Sequence, residues 1–193
     1  MNSITTETAK QTISGLTLMT MFTLVWAGIA FYGFNGLPYE WLLSIFVIPC
    51  IGFVYYIFLI RRIAPTLPVS DAPVNEAEVK KKEKWFMIIC AGEGIGIFLA
   101  VNIVVNLHHP ELQVPAIALA VGLHFFPLAK VFERKMDYYI GAWSTLIAVL
   151  AIMFTLKHVL NKMPMIVFTG VGLALATTCY GINMILKARR VIS

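Results

Sequence analysis

The chain has 193 residues, 59% of them hydrophobic and 13% charged, with a mean hydropathy of +0.81 and a formal net charge of +5. Soluble domains run at about 45–50% apolar and about 25% charged residues, so an ordinary water-soluble enzyme and a disordered chain are excluded. A nucleic-acid binder is excluded too, because the Lys and Arg residues stand at the ends of apolar runs, the pattern of a membrane protein.

A helix that crosses the hydrocarbon core needs about 20 mostly apolar residues. Six runs of that size occur near 14–34, 39–60, 85–107, 114–132, 138–158 and 164–186. They are apolar all round, whereas strands of a membrane barrel would alternate in short segments. The expected fold is therefore all-α, a polytopic membrane helix bundle with six transmembrane helices in three hairpins. A single integral membrane domain over 1–193, with no appended soluble domain, is expected.

The first run follows Lys10, is longer than a signal-peptide core and closes on no A-x-A cleavage site, so it reads as a retained span. The second opens on Tyr39 and Trp41, aromatic residues suited to the headgroup zone. A connection over 61–84 follows, in which Pro65, Pro68 and Pro73 stop regular structure. From Asn75 to Lys84, strong helix formers with acids ahead of bases predict a helical extension into span three. Its lysines mark topology and could also meet anionic lipid. Trp85 opens the third span, Tyr138 and Tyr139 the fifth. Pro38, Pro115 and Pro164 stand at or near helix starts, where a missing N–H costs nothing. The spacings Pro38–Pro49 and Pro115–Pro127 hint at a repeated hairpin.

Six spans put both termini on one side. Lys10, Arg61, Arg62, Lys80, Lys81, Lys82, Lys84, Lys130, Arg134, Lys135, Lys187, Arg189 and Arg190 share it, against Lys157 and Lys162 on the other. Such bias predicts cytoplasmic N and C termini and residence in the cell inner (plasma) membrane. Cys50, Cys90 and Cys179 lie within apolar runs, away from any ligand spacing, and read as small packing residues.

Chemistry is expected at Glu93, within Ala91-Gly92-Glu93-Gly94-Ile95-Gly96. It lies eight residues past Trp85, about 12 Å into the bilayer at about 1.5 Å per residue. A carboxylate at such depth is partnered, protonated or facing water. Gly92, Gly94 and Gly96 remove bulk beside it, which admits a ligand or a neighbouring helix through G-x-x-x-G packing. On span four, His124 falls at similar depth, so the two residues can form a proton relay or a polar contact for a solute. Pro127 weakens the helix close by. Lys130 is a competing partner for Glu93, but it points about 120° away from His124 and its stem can reach the interface. Asn102 and Asn106 are expected to bond adjacent helices. Thr177, Thr178, Tyr180 and Asn183 are candidates to complete a polar cavity, and Gly170, Gly172, Ala174 and Ala176 form a packing stripe.

His108, His109 and Glu111, even with Glu40 or His158, match no metal-binding spacing and read as an exposed polar loop. There is no nucleophile elbow, phosphate loop or dinucleotide glycine pattern, so neither a cofactor nor a catalytic set is assigned. The leading reading is a membrane protein that transports, binds or senses a small solute or proton at Glu93 and His124, with Gly92, Gly94 and Gly96 as binding residues. The alternative is a non-catalytic scaffold or partner subunit, self-associating or held by another membrane protein. A membrane-embedded enzyme acting on lipid ranks third.

Overall fold

The computed structural model describes residues 6–34, 36, 39–68 and 76–192. Pro38, Pro73 and Asn75 lie outside the described residues. The described residues form six long helices: α1 Thr6–Phe34, α2 Val47–Ile63, α3 Glu76–Asn106, α4 Gln113–Phe132, α5 Lys135–Leu156 and α6 Lys162–Ile192. Six stretches are long and apolar enough to cross a membrane. Together with the all-α fold, these mark the chain as a multi-pass membrane protein, resident in a lipid bilayer.

Proline chemistry accounts for several helix starts. Pro115 and Pro164 each occupy the third residue of their helix. The second span begins as a 3-10 helix, Glu40–Phe46, and becomes α-helical only at Val47. Pro49 explains the delay, since it offers no N–H to the carbonyl four residues back and its ring crowds that carbonyl. Pro127 is different: α4 carries it without a break in helical assignment. As expected from its composition, the lysine-rich stretch is helical and continuous with span three, with Glu78 paired to Lys82 one turn on at 2.8 Å.

Packing orders the helices in space as α2, α1, α6, α5, α4, α3, with α6 also touching α2 and α4. The most extensive contacts are α1 with α6 and α4 with α5. Small residues permit this closeness. A Cβ added to Gly170 would stand 2.7 Å from the Ala30 backbone N, and one on Gly122 would stand 2.7 Å from that of Thr145. Gly170, Gly172, Ala174 and Ala176 thus form packing faces as expected, Gly172 against Ile147. Thr23 and Thr177 hydrogen-bond across α1 and α6 at 2.8 Å, and the Trp143 indole N–H donates to the Gly172 carbonyl at 2.9 Å.

One buried polar tie was not foreseen. Asp137, in the first turn of α5, accepts a hydrogen bond from the Tyr180 hydroxyl of α6, and both side chains are buried. Arg134 and Lys187 lie close enough to act on the carboxylate electrostatically. Removing the donor leaves a buried acceptor without its partner, at a cost of about 1–3 kcal/mol. Tyr180→Phe should accordingly lower the midpoint of thermal unfolding in detergent while leaving solute binding intact.

Helix α3 stands apart from the others. It packs on α4 and on the 3-10 turn Pro110–Leu112, and the apolar window of its span is 6% buried, against 67% for α6. The bundle is therefore open at this edge, and the site lies there.

Candidate functional site

Two helical stripes face each other across the α3–α4 interface. On α3, Ile89, Gly92, Glu93, Gly96, Ala100, Ile103 and Val104 recur at spacings of three and four. On α4, Ala116, Leu119, Ala120, Leu123, His124 and Pro127 do the same. Residues so spaced share one helix face. Between the stripes runs a groove of about 590 Å³, with Ile152 of α5 contributing to its wall. That volume lies within the range of small-molecule sites, about 300–1,000 Å³. It opens sideways, among lipid-facing residues such as Leu99, Ile103 and Leu123, each at least half exposed.

The opposite side of α4 explains how His124 comes to face α3. Gly122 packs against α5, where its missing side chain lets the two helices meet. Two residues further on, the helix has turned about 200°, which carries the imidazole to the other side. His124 Nδ1 lies within hydrogen-bonding reach of the Val121 carbonyl and 3.3 Å from Glu93 Oε1. A carbonyl oxygen can only accept, so Nδ1 carries the proton and donates it to Val121, with the Glu93 carboxylate close beside the ring. In the neutral ring Nε2 then keeps a free lone pair. The side chains of Glu93 and His124 are 18% and 13% exposed. The similar depth read from the sequence is accompanied by a contact within two membrane-length helices, while Lys130 is exposed.

The glycines distinguish a packing contact from an open site. At Gly92 an added Cβ would meet nothing within 4 Å, and at Gly96 only the Ala120 Cβ at 3.9 Å. Elsewhere this chain brings helices close over glycine: Gly33, Gly122, Gly170, Gly172 and Gly181 all leave less than 3.0 Å. Gly92 and Gly96 instead form a low wall beside Glu93. Gly94 also meets nothing within 4 Å, but it does not line the groove.

Other sequence candidates are placed elsewhere. The Asn102 amide donates to the Phe98 carbonyl of its own helix and is exposed, as is Asn106. Asn102 is thus satisfied within its own helix, where an adjacent helix had been expected. Thr177 and Tyr180 serve as interhelical ties, and neither they nor Thr178 and Asn183 line the groove. Cys50 is buried, but Cys90 and Cys179 are exposed and so do not pack inside the bundle as anticipated. His109 pairs with Glu111 at 2.8 Å on the exposed loop, and the side chain of Glu40 lies outside the described residues. No group of three or more His, Cys, Asp or Glu side chains able to hold a metal occurs among the described residues. Asp137 was missed, although its position one residue before the Tyr138-Tyr139 pair, at the mouth of an apolar run, was a usable signal.

No family model, curated protein or solved structure matches this chain.

Proposed function

We propose that this membrane protein binds a small solute at Glu93 and His124 and exchanges it against a proton. The observation that carries the reading is a carboxylate and an imidazole in contact, lining an open apolar groove whose glycine wall leaves space beside the carboxylate. A group buried only to complete a helix contact would have its space filled by the neighbouring helix, as at Gly170. Glu93 is the exchanging group, His124 stands beside it as a second polar contact for the solute, and Gly92 and Gly96 shape the approach. On charge bias, both termini belong on the cytoplasmic side of the inner membrane.

Proton exchange gives a direct test. Purified protein in weakly buffered detergent, titrated with a panel of cationic, neutral and anionic solutes, should show solute-dependent pH changes. Those changes should vanish in Glu93→Gln and persist in Tyr180→Phe. A response that is unchanged in Glu93→Gln would overturn the assignment.

A further inference from the structure

Resting on that reading, we infer that the solute is a single-chain lipophilic cation, an alkyl chain ending in an ammonium group, which enters from the bilayer. Three observations converge on this class. The first is charge: the groove lining holds one acidic residue, Glu93, and no Lys or Arg. With Nδ1–H committed to the Val121 carbonyl, the pair presents acceptors, the carboxylate oxygens and the Nε2 lone pair. Acceptors and negative charge select a head that donates hydrogen bonds and carries positive charge.

The second observation is shape. From Glu93 to Val104 the groove follows α3 for about 16 Å at 1.5 Å per residue, close to half of the roughly 30 Å hydrocarbon thickness. Apart from Glu93 and His124 the lining is apolar. A polar pair near one end, about one turn inside Ile89 and Pro127, with about 16 Å of apolar wall beyond it, describes a site for a single-chain amphiphile. The third observation is access: the groove opens beside lipid-facing side chains, so such a molecule need not leave the membrane to reach it.

A cation and a proton compete for one carboxylate, so acid should displace the ligand. The groups around Glu93 do not reverse that sign. On its own helix Cys90 is nearby. From α4 it faces His124, with Lys130 beyond and exposed; from the adjoining 3-10 turn, Glu111 stands at the far end of α3, paired with His109. Protonation of His124 at low pH places a positive charge beside the head and works in the same direction.

Spin-labelled C18 chains bearing an amine, an alcohol or a carboxylate head can be compared in zwitterionic bilayers containing the full chain, reading the motionally restricted fraction. At pH 8 the amine should be restricted at least threefold more than the alcohol, and more than the carboxylate. The preference should fall at pH 5 and disappear in Glu93→Gln. Gly92→Leu, which fills the groove beside an intact carboxylate, should reduce restriction of the amine as well. Equal restriction of the three heads, or preference for the carboxylate, would overturn the ligand class. If solute-dependent proton release nevertheless depends on Glu93, the exchange site stands and only the ligand class fails. Loss of both signals from a correctly folded wild type removes both.

Discussion

Glu93→Gln is expected to lower solute affinity at least tenfold and to abolish the accompanying proton release, with little change in unfolding temperature. The amide keeps the shape of the carboxylate and the His124 Nδ1–H keeps its bond to Val121, so the contact at 3.3 Å has a neutral replacement. What it loses is the charge and the titrating proton. Tenfold in affinity corresponds to about 1.4 kcal/mol, modest for an ionic contact shielded from water. Glu93→Asp should fall between, because it retains the charge but withdraws it by one methylene from His124. His124→Gln should weaken binding less than Glu93→Gln and shift the pH dependence, since the carboxylate remains and only its titratable neighbour changes. Equilibrium binding as a function of pH, with circular dichroism to establish folding, distinguishes the three. A large loss of thermal stability in Glu93→Gln, with unchanged binding in the folded fraction, would make the carboxylate a structural element.

Opposite stability effects are expected from the same substitution at two glycines. Gly170→Ala places its Cβ 2.7 Å from the Ala30 backbone N and 2.8 Å from the Trp26 carbonyl O. Backbone atoms cannot rotate aside, so α1 and α6 must separate, a strain of about 1–3 kcal/mol that outweighs the helix-propensity gain. Gly92→Ala meets nothing within 4 Å and should be stabilising by roughly 0.5–1 kcal/mol, because alanine loses less conformational freedom than glycine in a helix interior. Thermal unfolding of the two variants in one detergent checks the signs. A destabilised Gly92→Ala would mean that a helix packs closely there, against the open groove.

Much of this architecture could be read from the sequence because lipid imposes strong rules. Apolar length sets the spans, and the flanking aromatics Tyr39, Trp41, Trp85, Tyr138 and Tyr139 are all exposed in the structure. The pairing of Glu93 with His124 was legible as arithmetic along two adjacent helices. Helix neighbours were not legible: α1 meets α6 across the whole length of the chain, and nothing local in either helix encodes its partner. The function of the glycines was not legible either. Gly92-x-x-x-Gly96 and the glycines of α6 look alike on paper, and only the neighbouring helix decides which are contacts and which are space. Asp137 was overlooked because an acid near an apolar run's end resembles a solvated flank until Tyr180 is brought over it.

Helix α3 is one uninterrupted rod from Glu76 to Asn106. Lys80 to Lys84 ride on the same rod as Glu93, nine to thirteen residues away, or roughly 14–20 Å at 1.5 Å per residue. With α4 as its main side support, no hinge or second wall separates the pull of headgroups on those ammonium groups from the height and rotation of the carboxylate. Lipid surface charge and groove geometry are thus expected to be coupled, and raising the anionic lipid content of a vesicle should shift the affinity of the groove for its ligand.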